Sequence, residues 1–457
     1  MTAPKSPGED EIARQILLRH KLVRFAGQFY IRETDRWLAL DRDAEVKFIF
    51  GAIRELDFVP TERDQRKVSV ALIARCHHVS TVPAWLGTPH PNPVIACNNG
   101  LVDIKTRALL PHTDDYFTLN VLPYDYDPEV AEPAELLRFL RSIWGEDPES
   151  IASFQEMLGY ILTPETWMQV IFQLVGKTRS GKGTIGRLIV GLLGSDNTCS
   201  PSLQAITSRF GLMTALGKLV MLISETRTDR LLGKPAMTDM LLRISGEDSI
   251  DVDRKGILPW QGRLTTRIVI LSNEPLDLPD DASALSGRLI IFHLPRSFLG
   301  REDHELDAKL ASERGAILKW AIEGFGRVQS HRQRIRQPTT GLPLLEMTRI
   351  QASPLAGFIE EACELNPDFT MEKDALYSAY AGYMSFENKH PLSRTAFFTK
   401  LYSYDVTSHK GAWVRGSGKK LRQPSVVRGI RLRDHDASND AEVIPMPLTT
   451  SVARTKA

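Results

Sequence analysis

Apolar and polar positions along the chain fall into recognisable rhythms. From Lys21 to Leu40, KLVRFAGQFYIRETDRWLAL sets two short aromatic-rich runs around the polar ETDR, which predicts a hairpin. Helical spacing follows from Ala44 to about Leu56, and IACNNGLVDIKTRALLPHT, around Cys97 to Thr113, predicts strand, turn and strand. The Pro- and Asp-rich PYDYDPEVAEP, Pro123 to Pro133, has the composition of a linker. AELLRFLRSIWG and SIASFQEMLGYIL then place apolar residues at helical spacing. Between Trp167 and Arg327 the runs MQVIFQLVG, KLVMLISE and TRIVILSN alternate with loops and helices, the pattern of an α/β core with a parallel sheet. Each run ends in polar residues, at the edge where open α/β sheets bind ligands.

These segments predict an α+β N-terminal domain at 1–133, a helical adapter at 134–163 and an α/β core at 164–329. A basic stretch suggests a linker at 330–353, a helix-then-strand unit follows at 354–435, and a polar tail at 436–457 has the composition of a disordered segment. No internal repeat interrupts this order.

Composition narrows the class. The 457 residues suggest roughly three domains, and 42% hydrophobic with 25% charged residues excludes disorder throughout. Lys and Arg number 57 against 56 Asp and Glu, so any attraction to nucleic acid must come from local patches. Cys76, Cys97, Cys199 and Cys363 form no CxxC pair, which argues against a disulfide framework or cysteine-built zinc site. MTAPKSPGEDE lacks the apolar stretch of a signal peptide and no later run is long enough to span a bilayer, so a soluble, cytoplasmic protein without membrane contact is expected.

The strongest chemical signal is GKTRSGKGT, comprising Gly176, Lys177, Thr178, Arg179, Ser180, Gly181, Lys182, Gly183 and Thr184. It follows an apolar run and precedes the helix-like TIGRLIVGLL, the context of a phosphate-binding loop. Backbone N–H groups at the helix start would face the phosphates of ATP, and Lys182 would reach the β and γ oxygens. The motif expects Ser or Thr directly after the lysine; here Gly183 intervenes, and the magnesium-facing hydroxyl falls to Thr184. The bland alternative is a glycine-rich turn with a solvated lysine.

Other run ends carry weaker signals. Glu225 follows LVMLIS, where such ATPases place the carboxylate that holds Mg2+ or orients water, although strand-end glutamates are more often merely solvated. Asn273 could bond the γ-phosphate or the attacking water, or simply form a turn before Glu-Pro. Arg288, before LIIFHL, could reach the nucleotide of a neighbouring subunit, or sit in a surface ion pair. SIDVDRKGILPW predicts a hairpin whose tip cations, Arg254 and Lys255, could grip single-stranded nucleic acid. Asp251 and Asp253 share a face there, but no third acid or histidine completes a polymerase metal site.

Together these motifs resemble a superfamily 3 helicase of the AAA+ class, and more closely the helicase part of phage and plasmid primase-helicase proteins, the group that includes the poxvirus replication ATPase. PAWL, NNGLVDIKT, FTLNVLPYDYDP, FQEMLGYIL, ISGEDSIDVDRK, GRLIIFHLPRSF and GAILKWAIEGFGRV extend the likeness over most of residues 20 to 430. The resemblance implies an AAA+-like P-loop ATPase core with Lys182 and Thr184 at ATP and Glu225 at magnesium and water. It further implies Lys255 on DNA, Asn273 as γ-phosphate sensor and Arg288 acting in trans within a homo-oligomeric ring, a hexamer. Only about 20 residues precede the match, so priming activity is not expected of this chain, and a separate primase is left open as a partner.

The C-terminal segments add to this independently. TMEKDALYSAYAGYM, LSRTAFFTKLYSY and WVRGSGKKLRQPSVVRGIRLR give two helices and two strands, an order that suits a winged helix. From His390 to Arg433 ten basic residues, including Arg394, Lys400, Lys419 and Lys420, stand against Asp405 alone. Such a patch fits duplex or forked DNA, or else a solvated face or protein-docking surface. The leading expectation is an ATP-dependent replicative DNA helicase of a phage, prophage or plasmid, translocating on single-stranded DNA. An ATP-binding DNA-binding initiator or scaffold without unwinding activity, and a P-loop nucleotide kinase, are the alternatives.

Overall fold

The apolar runs of the central region become one five-stranded, all-parallel sheet. Its strands are β1 (Ile171–Gly176), β2 (Thr198–Cys199), β3 (Val220–Ser224), β6 (Arg267–Ser272) and β7 (Leu289–Leu294), in the order β2-β3-β6-β1-β7. Helix α1 (Lys182–Leu193) follows β1, and α2 (Lys234–Ser245) precedes a hairpin of β4 (Ser249–Arg254) and β5 (Ile257–Arg263). The computed structural model describes residues 8–145, 147–224, 234–278, 283–331, 334–387, 389–411, 414–415 and 421–433. The expected disordered tail at 436–457 lies outside them.

Strand alternation divides the side chains between two cores. Phe172, Leu174, Val269, Leu271, Ile290 and Phe292 face α1 and the helices Pro148–Ile161 and Arg314–His331. Ile171, Val175, Met221, Ile223, Ile268 and Ile270 face the other way, into a cluster with Leu241 of α2 and with Val23, Phe25 and Trp37 of the N-terminal region. A parallel sheet covered on both faces explains why the runs are almost wholly apolar. The N-terminal region, adapter and core thus form one compact unit, Met1–Ser353, separate from Pro354–Ala457.

Three expectations change. The segment from Lys21 to Leu40 is a three-stranded meander, Leu22–Phe25, Gln28–Glu33 and Arg36–Leu40, with a turn at Ala26–Gly27 besides the one in ETDR. Ala26 and Gly27 both take left-handed φ, 51° and 73°, which lets the chain reverse in two residues. The expected linker at Pro123–Pro133 is packed: Tyr126 is buried, and the Tyr124 hydroxyl donates to the Leu192 carbonyl at 2.7 Å. The expected linker at 330–353 is also structured. Gln337 exchanges two hydrogen bonds with the backbone of Ile291, covering the edge strand β7, and the helix Leu342–Ala352 follows. Tyr126 in the first segment and Ile335 in the second are buried although Pro, Asp or Arg surround them.

The second unit runs helix Pro354–Ala362, strand Cys363–Glu372, helices Lys373–Phe386 and Arg394–Leu401, strand Thr407–Lys410, the short antiparallel pair Val414–Arg415 and Leu421–Arg422, and strand Ser425–Leu432. Strands Cys363–Glu372, Thr407–Lys410 and Ser425–Leu432 form one antiparallel sheet with Ser425–Leu432 in the middle. Ser393 caps the second of the paired helices, its hydroxyl accepting from the Ala396 N–H.

Candidate functional site

The glycine loop spans the carboxyl end of β1 and the start of α1. Gly176 closes the strand, where an added Cβ would lie 2.6 Å from Ser180 Oγ and 2.7 Å from the Leu294 carbonyl. Gly181 precedes α1 at φ 98°, a conformation that suits glycine. Lys177, Thr178 and Arg179 are exposed while Ser180 is buried. From across the loop, Ser297 donates to the Thr178 carbonyl at 3.1 Å and the Phe298 N–H to the Arg179 carbonyl at 2.8 Å. Arg179 also pairs with Glu302 at 3.6 Å.

Lys182, first residue of α1, folds over this loop. Its ammonium donates to the Gly176 carbonyl at 2.5 Å, the Lys177 carbonyl at 2.9 Å and Ser180 Oγ at 3.4 Å. Burial lowers its pKa from the ordinary lysine value, so the charge is held against a desolvation cost that an anion would offset. Gly183 is exposed, and the half-buried Thr184 hydroxyl accepts from Arg187 at 3.3 Å, the arginine in turn pairing with Asp307 at 2.7 Å. A helix N-terminus, a cradle of loop amides and one cation make a donor set that fits a polyphosphate.

Register brings the other run ends to the same edge. Val175 pairs with Ser272, so Asn273 emerges exposed beside Gly176, and Ser224 ends β3 opposite Leu271. Glu225 lies outside the described residues. Behind the edge, buried Gln173 donates to Ser272 Oγ at 2.9 Å and to the Glu274 carbonyl at 3.3 Å. That polar pair inside the sheet tethers the Asn273 turn, and sequence reasoning missed it because a single Gln in an apolar run carries no pattern.

Arg288 sits at the opposite edge. Its carbonyl accepts from the Ile171 N–H at 2.9 Å, and Ile171 begins the strand that Gly176 ends, roughly 17 Å away at about 3.3 Å per residue. The guanidinium donates to the Leu242 carbonyl at 2.6 Å and to Ser245 Oγ at 3.0 Å, at the carboxyl end of α2. It lines a recess of about 370 Å³ with Trp167, Gln169 and Arg334.

At the hairpin the two expected cations part. Lys255 is exposed at the tip, its ammonium 5.8 Å from the Phe210 ring centroid. Arg209 covers the same ring at 5.3 Å and pairs with Asp253 at 3.0 Å. A half-buried aromatic between two exposed cations is the kind of surface on which a base stacks and phosphates bind. The signal was SRF, a basic–aromatic pair in a polar loop. Arg254 instead turns inward onto backbone carbonyls of Ala26 and Leu258.

In the second unit much of the counted charge is engaged. Arg394 pairs with Asp374 and lies over the rings of Tyr377 and Phe398. Arg431 pairs with Glu364 at 2.7 Å, Arg428 with Asp368 at 3.7 Å, and Arg433 donates to the Cys363 carbonyl. These acids precede the window from His390, so counting along the chain overlooked them. Lys400 is half-buried, while Lys419 and Lys420 lie outside the described residues.

Residues 25–145 match the family described as D5 N terminal like, and residues 174–288 a family of unknown function, DUF5906. An A-form apo structure of the NrS-1 C-terminal region is similar at 13% identity and a TM-score of 0.54, covering 92% of this chain and 99% of that one. Another apo structure of that region, also at 13% identity, has a TM-score of 0.53 and covers 93% and 100%. At such identity the structural likeness shows a shared fold. The resemblance to the phage and plasmid primase-helicase family is thereby borne out, with the N-terminal family match falling where PAWL and NNGLVDIKT placed it. Among the described residues no helix is long and apolar enough to cross a membrane.

Proposed function

We propose that this chain is an ATP-dependent DNA helicase serving replication of a mobile element, assembled as a homo-oligomeric ring, a hexamer, around single-stranded DNA. The observation that carries the reading is the separation of two sites on one sheet: a lysine-bearing glycine loop at one edge and a buttressed arginine at the other. A ring of such subunits brings Arg288 of one protomer toward the glycine loop of the next. The strand order β2-β3-β6-β1-β7, with the loop on β1, supports an AAA+-like P-loop core. The order helix, strand, helix, helix and then four strands in the second unit supports a winged helix that would dock duplex or forked DNA.

In this reading Lys182 and the loop amides bind the β and γ phosphates of ATP, and Asn273 senses the γ-phosphate. Thr184 and Glu225 would hold magnesium, which neutralises charge on the phosphates. Lys255, Arg209 and Phe210 face the strand being moved.

Lys255→Ala is expected to keep ATP binding and nearly all DNA affinity, since one phosphate contact is lost, but to lose strand displacement. Fluorescence anisotropy on a labelled oligonucleotide, beside a displacement assay on the same preparation, checks this. Normal unwinding by the variant would place the grip elsewhere.

A further inference from the structure

The β4–β5 hairpin is held by more than its own ladder. A two-stranded ribbon is marginal by itself and its tip would swing. Here Gly256, at φ 71°, makes the turn, and Lys255, Ile257 and Leu258 project into solvent. Arg254, one residue before the exposed lysine, points the other way. Its Nε and Nη2 donate to the Leu258 carbonyl at 3.1 and 2.5 Å, closing the tip on itself. Its Nη1 donates to the Ala26 carbonyl at 2.5 Å, in the turn between the first two strands of the N-terminal meander. All three guanidinium nitrogens are therefore engaged with carbonyls from two separate elements, a planar fork that a lysine could not reproduce.

Neighbouring contacts reinforce this join. Phe25, adjacent to that turn, meets Trp260 of β5 edge-on at 6.3 Å, and both rings are buried. Thr265, just after β5, donates to the Val82 carbonyl at 3.4 Å. An added Cβ at Gly27 would lie 3.8 Å from the Arg254 guanidinium, so the turn and the arginine are in direct contact. The meander is anchored in the core through Val23, Phe25, Tyr30 and Trp37, which makes it a firm support.

We propose that Arg254 is a positioning residue that latches the Lys255 hairpin to the Ala26–Gly27 turn, so that the N-terminal sheet sets where the DNA-gripping tip stands and transmits DNA engagement to the ATPase core. The proposal rests on the reading of Lys255 as a DNA contact. It assigns Arg254 no phosphate of its own, and it gives the N-terminal region a task in the helicase cycle.

The test uses Arg254→Lys, which keeps the charge but not the fork, and Arg254→Ala, in the full chain. In the absence of DNA, amide hydrogen exchange should rise together in residues 249–263 and 25–28 of both variants. In the presence of a dT homopolymer, Arg254→Lys should show the wild-type dependence of affinity on salt, whereas Lys255→Ala lowers that slope by about 0.7. At saturating DNA the DNA-stimulated rate of ATP hydrolysis should fall on the order of tenfold with the DNA concentration for half-stimulation unchanged, because a displaced tip costs rate rather than charge. Basal hydrolysis should stay at the wild-type level. The latch is overturned if exchange rises in the hairpin alone or nowhere, if Arg254→Lys lowers the salt slope, or if its stimulated rate equals wild type. A wild-type chain whose hydrolysis ignores DNA would defeat the helicase reading instead, and the exchange result would then decide the latch by itself.

Discussion

Replacing Lys182 with alanine is expected to abolish ATP hydrolysis while leaving the fold intact. The side chain is half-buried, but its partners are loop carbonyls at 2.5 and 2.9 Å rather than packed apolar groups, so its removal opens no core cavity. What is lost is a preorganised cation at the start of α1, in a site where burial already lowers the pKa of the amine. Removing one such electrostatic group costs about 10² to 10³ in rate in well-studied enzymes. Phosphate release should therefore fall by at least that much, and thermal melting should match wild type. A well-folded Lys182→Ala protein with wild-type turnover would remove the phosphate-loop assignment.

Arg288→Ala should be as damaging, and in a way that depends on assembly. An arginine supplied across a subunit boundary contributes about 10³ to 10⁵ in rate in phosphoryl transfer. Within one chain Arg288 stands at the end of the sheet away from Gly176, held to Leu242 and Ser245, so it cannot serve its own glycine loop. Subunits carrying Arg288→Ala mixed with subunits carrying Lys182→Ala should regain part of the activity, because some interfaces then have both groups intact. Arg288→Ala also frees the end of α2, so its melting is compared with that of Arg288→Lys, which keeps a donor. No recovery at any ratio, with subunit mixing demonstrated, would reduce Arg288 to a helix-end clamp.

Local pattern was enough for the core. The runs ending at Gly176, Ser224 and Ser272 are apolar because both faces of a parallel sheet are covered, and their polar ends mark one edge by strand register. The loop from Gly176 to Thr184 is equally local, since strand, glycines and helix adjoin in the chain. Groups paired across the fold were not legible. Arg254 and Lys255 look alike in sequence, yet one is spent on Ala26, far away along the chain, and the other is exposed. Arg394 and Arg431 read as free charge until the acids at Asp374 and Glu364 come beside them. The two supposed linkers failed for a related reason: Tyr126 and Ile335 are buried singly, and a lone apolar residue among Pro, Asp and Arg gives no period to detect.

ATP hydrolysis at the glycine loop is expected to drive strand separation. Strand displacement on a forked duplex, with and without ATP and magnesium, checks this. Displacement is expected only with both present, and none with Lys182→Ala. ATP-dependent assembly on DNA without displacement on any fork would contradict it and leave a DNA-binding initiator or scaffold; phosphate passed from ATP to a nucleotide would point to a kinase.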